Sequence, residues 1–298
     1  MNTIRNKRLL QTGIITTLLF VCLFSCTERM DISTEASAPR LVIYGYLTSE
    51  KKQHSIKITR SSGYFVSTKP EGISNATVTI SSKDETFILS ETDYESGLYL
   101  TERDVAGKEG ETYTLNVSLD FDEDGRPEEY EATSWLPYPP RADSIDFRPS
   151  ELLDKYLEVL FWGRFPEGAE ENYLSIHLYR NSRLINDSLS GFVIYDDKYI
   201  DAKEVEAVPC FYLDQDEDEE KLKYGDRITM RIDAITKEYA TFITNAQREL
   251  WGSDPIFSGP PANIETNIKS KDPSNGILIS GFFTAFSGCE TSKYYLGE

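Results

Sequence analysis

The sequence is short of the residues that most often do chemistry. Its 298 residues include 2 histidines, 4 cysteines and 3 methionines. His54 and His177 each fall inside an alternating, strand-like pattern, and neither lies near a candidate nucleophile in sequence. No G-x-S-x-G elbow, H-E-x-x-H pair or C-x-x-C motif is present, which removes the common serine-hydrolase, zinc-protease and thiol-redox signatures. A glycosidase needs only two suitably spaced carboxylates, but nothing singles out two of the 50 acidic residues. The expectation is a protein that is not an enzyme. Positive charge is also scarce. Lys and Arg number 31 against 50 Asp and Glu, a net charge of −19. So acidic a chain repels nucleic acid and anionic lipid headgroups, which argues against both as partners. Long apolar runs are missing too. The one that stands out, Thr12 to Phe24, has 13 residues, short of the roughly 20 that cross a bilayer as a helix.

That run sits in an informative place. Arg5, Lys7 and Arg8 precede it, and Leu23-Phe24-Ser25-Cys26 ends it. The ending resembles the lipobox of bacterial lipoproteins, with an aliphatic residue three before the cysteine and a small one just before it. Phe24 is bulkier than the residue usual at its position. The resemblance implies that residues 1–25 are a lipoprotein signal peptide and that Cys26 carries the lipid, palmitate or a similar acyl chain. The alternative is an ordinary secretory signal with a chance cysteine. Without the three basic signal residues, 28 basic residues face 50 acidic ones, a charge of −22. Acylation of Cys26 is then the expected membrane attachment, and two or more chains suffice for stable anchoring. Residues 26–39, the lipidated Cys and a small polar run, read as a flexible tether. Glu28 and Asp31 resemble the acidic signal that sends Bacteroidota lipoproteins to the outer face of the outer membrane. Either face, periplasmic or cell-surface, stays open at this point.

Cys22 leaves with the signal, so Cys210 and Cys289 remain. They either form a disulfide, with a large loop whose closure contributes roughly 4 kcal/mol, or stay as two buried thiols that never meet.

From residue 40 to 136 the pattern has period two, with β-branched and aromatic residues broken by turn clusters. It predicts strands at Leu41–Leu47, His54–Thr59, Ala76–Ser81, Thr86–Glu91, Gly97–Thr101, Thr112–Leu119 and Tyr130–Trp135. Seven short strands without a helix predict an immunoglobulin-like or transthyretin-like β-sandwich. The run ISNATVTISSKDETFILSETDYESGLYLTE looks like the transthyretin-like or carboxypeptidase-regulatory type. Prolines 137, 139 and 140 cannot donate to a ladder, so residues 137–142 are read as a linker. Residues 143–298 read as a second β-rich domain, with strands in DSIDFR, KYLEVLFWGR, NYLSIHLYRN, GFVIYDD, EAVPCFYL, RITMRIDAI and GILISGFFTAFS. One amphipathic helix, Thr236 to Leu250, interrupts them. Its stripe is Tyr239, Phe242, Ile243, Ala246 and Leu250, while Lys237, Glu238, Gln247, Arg248 and Glu249 face water. Thr236 is its cap.

The order lipobox, LVIYGYLTSEKKQHSIKITRSSGYF, ISNATVTI, GLYLTE, GETYTLNV, ADSIDF, helix, SGPPANIETNI, GILISGFFTAFS resembles a family of Bacteroidota lipoproteins classed only as a domain of unknown function. Its members are often encoded beside TonB-dependent receptors. The resemblance supplies no catalytic residues. It implies an outer-membrane location and an accessory or docking role beside a TonB-dependent β-barrel receptor, in nutrient uptake or envelope assembly.

Two features suggest a ligand-binding or adhesion module instead. Asp120, Asp122, Asp124, Gly125, Glu128 and Glu131 fit D-x-D-x-D-G-x5-E, the pattern of a Ca2+ loop. There, oxygens at positions 1, 3 and 5 converge on one cation and the carboxylate at 12 closes the site. The flanks are strands rather than helices, so a solvated acidic hairpin is the alternative. The second acidic run, 214–220, lacks the turn glycine and reads as a solvated loop. Aromatics are numerous, with 18 Tyr, 15 Phe and 3 Trp. Most fill β cores, but Tyr138, Trp162 and Trp251, near the linker and the helix end, are candidates for a glycan-binding cleft.

Overall fold

A computed structural model describes residues 39–61, 69–166, 171–198, 204–251 and 264–297. The signal peptide, Cys26, nearly all of the tether, and Gly252 lie outside the described residues, as does the side chain of Trp251.

The chain is mainly β. Its first part holds β1 (Leu41–Thr48), β2 (Ser55–Arg60), β3 (Glu71–Gly72), β4 (Thr77–Ser81), β5 (Thr86–Glu91), β6 (Leu98–Thr101), β7 (Thr112–Leu119) and β8 (Glu128–Trp135). The seven predicted strands of this part are all present, two with the expected bounds and the others with an end shifted by one or two residues. Alternation explains their placement. In β7, Tyr113, Leu115, Val117 and Leu119 are buried and the residues between them are not. Leu41, Ile43 and Leu47 do the same in β1. The proline segment separates β8 from β9 (Arg141–Pro149). Then come β10 (Tyr156–Arg164), β11 (Tyr173–Arg180), β12 (Arg183–Leu184), β13 (Val193–Asp196), β14 (Glu204–Asp214) and β15 (Arg227–Ile235). After them are helix α1 (Lys237–Trp251), β16 (Lys269–Ser270) and β17 (Ile279–Tyr294).

One hydrogen-bonded path runs β12-β11-β15-β17-β1-β2-β6-β5-β4-β7-β8-β16, and a separate sheet runs β14-β10-β9. Inward residues of β1, β2 and β4 to β8 share one core, and those of β9 to β11, β14 and β15 share a second. Strand β17 serves both. Ile279–Phe286 pair in parallel with Leu41–Thr48, and Ser287–Tyr294 pair antiparallel with Arg227–Ala234. Sequence places all of 143–298 in the second domain, yet Ile268, Phe283 and Ala285 lie in the first core. The exchange point is tied to the linker: the Ser287 hydroxyl donates to the Pro137 carbonyl at 2.6 Å. The free edge of the first half is closed by side chains. Asn267 pairs with both backbone groups of Phe283, and the Ser134 hydroxyl accepts from the Ala285 amide at 2.8 Å. Buried backbone groups at a sheet edge need such partners. The parallel pairing also needs a close approach. Gly281 has φ +100°, and a Cβ there would stand 2.0 Å from the Ile43 carbonyl oxygen.

Helix α1 begins where expected, with the Thr236 hydroxyl accepting from the Tyr239 amide at 3.2 Å. Its buried face differs in one respect from the expected stripe. Gln247 is buried and Leu250 is exposed. The Gln247 amide donates to the carbonyls of Leu189 and Phe192 at 3.0 and 2.7 Å, groups that need a donor once the helix covers them. Tyr239, Ala240, Ile243 and Phe282 form a third apolar cluster between α1 and the sheet. Among the described residues no helix is long and apolar enough to cross a membrane.

Phe283 is fully buried in the first core although it comes from the end of the chain. We expect Phe283→Ala to cost about 3–5 kcal/mol in urea unfolding. Loss of protection should appear by hydrogen exchange in β1 and β15 together, since β17 joins both.

Candidate functional site

Period-two alternation turns four strands so that their second faces form one surface, which α1 partly covers. In β11, Leu174, Ile176 and Leu178 enter the second core, so Ser175, His177 and Tyr179 face the other way. In β15, Ile228, Met230, Ile232 and Ala234 enter that core, leaving Arg231 and Asp233 outside it. Tyr44 and Tyr46 of β1 and Phe282 and Phe286 of β17 turn away from the first core in the same way. Register completes the grouping. Ser175 stands opposite Asp233 and His177 opposite Arg231, while Asp233 faces Gly288 and Arg231 faces Glu290. Of these, Tyr44, Tyr46, Ser175, His177, Tyr179, Arg231, Asp233 and Phe286 line a cavity of about 300 Å3, with Phe192 and Tyr239 on its helix side.

The electrostatic centre of the cavity is a buried ion pair. Arg231 and Asp233 side chains are 12% and 5% exposed. Arg231 Nε donates to both carboxylate oxygens of Asp233, at 2.8 and 3.1 Å. Its Nη1 reaches Glu50 and, at 3.2 Å, Glu290. Glu50 also accepts from Lys52 at 2.7 Å. Burial pushes the Asp233 carboxyl up to about 6, against the pull of Arg231. Burial works against the Arg231 charge as well, but the carboxylates of Asp233 and Glu50 outweigh it and raise its pKa. Glu50 is held below the usual carboxylate range. Its partial burial opposes that shift, and hydrogen bonds from Lys52 and Arg231 outweigh it.

Space for the pair is provided by a glycine. A Cβ on Gly288 would stand 2.1 Å from Asp233 Oδ1. Beside the pair, His177 Nε2 lies 3.0 Å from the Ser175 hydroxyl and 3.8 Å from Asp233 Oδ2. Its Nδ1 is buried with no hydrogen-bond partner. Burial, helped by the Arg231 charge, pushes the imidazole down to about 4, so it is neutral at pH 7. With a carboxylate and a hydroxyl both at Nε2, the proton belongs on Nε2 and Nδ1 is left as an acceptor. Ser, His and Asp are the residue types of a hydrolytic triad, but their arrangement is not one. A triad needs nucleophile and carboxylate on opposite ring nitrogens, whereas here both contact Nε2.

A second concavity, a cleft of about 810 Å3, opens at the start of α1 and is lined by Trp135, Tyr173, Glu171, Lys237, Asn267 and Phe282 among others. Trp135 is 43% exposed and meets Tyr138, 54% exposed, edge-on at 6.5 Å. Tyr138 therefore stands beside a cleft, as its position by the linker suggests. Trp162 lies on β10, in the separate sheet, and does not line the cleft. Glu171 ties this end together, accepting from the Tyr173 hydroxyl at 2.6 Å and from Lys237 at 3.1 Å.

The acidic loop brings together part of its predicted set. Carboxylate oxygens of Asp120, Asp122 and Asp124 lie within 4.8 Å of one another, all on exposed residues. Asp120 already accepts from the amides of Asp124 and Gly125, at 3.1 and 2.9 Å, and Asp124 from that of Arg126 at 2.8 Å. Arg60 borders the loop, its guanidinium 3.6 Å from Glu123 and donating to the Phe121 carbonyl at 2.7 Å. Glu128 turns back to accept from the Phe121 amide at 2.8 Å. Glu131 does not join the aspartates: it sits within β8, opposite Asn116 and Lys269. The cause is the flank, because a strand sends residue 131 along the sheet, whereas a helix would return it to the loop. Of the two alternatives for the cysteines, the structure has the free thiols. Cys210 and Cys289 are unbonded, and burial pushes their thiols up to about 12 and about 11. His54 is a core residue, its Nε2 3.1 Å from the Val105 carbonyl.

Sequence reading singled out neither Arg231 nor Asp233. The signal was present in RITMRIDAI, where Arg231 and Asp233, at every-other spacing, share a strand with five buried apolar residues.

The family model described as Domain of unknown function (DUF4249) matches residues 27–292. Among solved structures, "Crystal structure of chicken CNTN1 FN1-FN3 domains" is similar at 14% identity, over 67% of this chain and 63% of that one, with a TM-score of 0.25. The chain thus spans less than two thirds of that structure's length, and likeness at this level transfers neither topology nor function. No curated protein sequence matches.

Two outcomes are expected. Gly288→Ala should displace the Asp233 carboxylate from Arg231 and lose much of the about 3–5 kcal/mol that breaking a buried pair costs. Its effect in urea unfolding should be less than additive with Asp233→Ala. Raising Ca2+ to millimolar levels should leave the melting temperature unchanged, since the twelfth-position carboxylate is elsewhere.

Proposed function

The chain belongs to the family described as a domain of unknown function (DUF4249), and on that premise we propose that it is a non-enzymatic lipoprotein of the outer membrane. Cys26 carries the lipid, residues 26–39 form the tether, and the body is an accessory or docking subunit for a TonB-dependent receptor. The body consists of an immunoglobulin-like or transthyretin-like sandwich, 40–136, and a second β-rich domain, 143–298, that share β17. The work is nutrient uptake or envelope assembly, in the Bacteroidota setting that the sequence resembles. The observation that carries the binding role is the geometry of Ser175, His177 and Asp233. The residues of a triad are present in a cavity but wired to hold one another, with Ser175 and Asp233 both at Nε2. Such an arrangement gives preformed recognition without an activated nucleophile. The lipobox and a body charge of −22 support attachment through Cys26.

A second reading, a surface module that binds glycan, is favoured by the exposed Trp135–Tyr138 pair beside the cleft. Calcium-dependent adhesion has less support, because Glu131 lies apart from the aspartates.

The experiment is affinity purification of the intact lipoprotein from detergent-solubilised outer membranes. We expect a β-barrel receptor to co-purify. Cys26→Ala should release a folded body to the soluble fraction and lose the receptor. Absence of any receptor with the native protein overturns the docking role. A misfolded Cys26→Ala protein overturns the tether.

A further inference from the structure

We propose that the cavity between α1 and the sheet, built around Arg231 and Asp233, binds a small neutral sugar of one or two rings. Its volume of about 300 Å3 is at the lower end of the about 300–1,000 Å3 usual for small-ligand sites. That size excludes a polymer from lying wholly inside.

Charge decides the class of ligand. Arg231 and Lys52 stand against Asp233, Glu50 and Glu290, and each of these groups is already paired within the protein. A charged ligand would have to break one of those pairs at a desolvation cost. A neutral hydroxylated ligand breaks none and adds hydrogen bonds to groups whose orientation is fixed.

Polar wall groups point the same way. Ser175 and His177 line the cavity, and the 3.0 Å contact between the Ser175 hydroxyl and His177 Nε2 fixes their orientation for a sugar hydroxyl. The hydroxyls of Tyr44 and Tyr239 are 2.9 Å apart and offer further donor and acceptor capacity. The walls supply the remaining element. Tyr46 and Phe286 lie with ring centroids 5.2 Å apart, and Phe192 closes edge-on against His177, also at 5.2 Å. Aromatic rings present the flat apolar surface on which the C–H face of a sugar ring packs. Tyr44 is 37% exposed and the Lys52 side chain 40%, so these two lining residues mark the mouth.

The test is calorimetric titration of the full-length protein in a detergent without a sugar headgroup. The panel is glucose, galactose, mannose, N-acetylglucosamine, cellobiose and lactose, with putrescine and glutamate as charged probes. At least one neutral sugar should bind with a Kd of about 1 mM or lower. His177→Leu should weaken it about tenfold through loss of the polar wall group that holds the Ser175 hydroxyl in place. Tyr46→Ala, at a partly exposed wall position that tolerates truncation, should weaken it about fivefold. Trp135→Ala, in the separate cleft, should leave the affinity unchanged. Binding of no sugar overturns the proposal, as does binding only of a charged probe, sugar affinity insensitive to both cavity variants, or loss of affinity in Trp135→Ala. None of these outcomes bears on receptor association, which rests on the anchored protein's co-purification.

Discussion

The structure depends on one strand having two partners. The first half of β17 completes the first core through β1, and its second half completes the second core through β15. A strand can do this only if its two halves present different hydrogen-bonding edges without overlap. The exchange between Phe286 and Ser287 achieves it. Ser287 is fully buried there, and its hydroxyl bonds to the proline linker, so the two cores are fastened where the chain first passes between them. The β1–β17 pair is parallel and joins the two ends of the body. Contacts between such distant segments must first offset their loop-closure entropy, so this pairing raises the contact order of the fold.

The same strand order creates the candidate site. Because β11, β15, β17 and β1 are consecutive in the sheet, their outer faces form one surface, and α1 covers only part of it. What lies under the helix is apolar, with Tyr239, Ile243 and Phe282. What lies beyond it is a set of charges that water alone would not keep in place. Arg231 is the organising cation, because it satisfies Asp233, Glu50 and Glu290 together. A buried pair of this kind contributes little net stability compared with an apolar replacement, though removing one member is costly. Its presence fits a role in presenting fixed polar groups to a ligand. Gly288 shows how tightly the arrangement is fitted, since no larger residue leaves room for the Asp233 carboxylate.

The acidic loop and the cavity make an instructive contrast. Asp120, Asp122 and Asp124 are consecutive in a motif, exposed, and already hydrogen-bonded to their own backbone. Ser175, His177, Arg231 and Asp233 form no motif, yet two strands in register bring them together out of water. Spacing along a chain identifies a site only when the ligands come from one local element. Here the flanking strand carried Glu131 away from the loop.

Local physics was therefore legible and long-range assembly was not. Alternation alone determined the strands, as in β7, where buried and open residues change places at every step. Periodicity and the Thr236 cap determined the helix, and composition determined the acidic body and the scarcity of catalytic residues. Tertiary structure decided what each second face would meet. Gln247 is polar and reads as solvent-facing, but the carbonyls of Leu189 and Phe192 draw it inside. Ile279–Phe286 reads as a strand of the second domain, but the open edge of β1 takes it into the first core. The physical reason is the same in each case. Side-chain direction is set by backbone period, which is local, whereas burial and hydrogen-bond demand are set by whichever segment comes alongside.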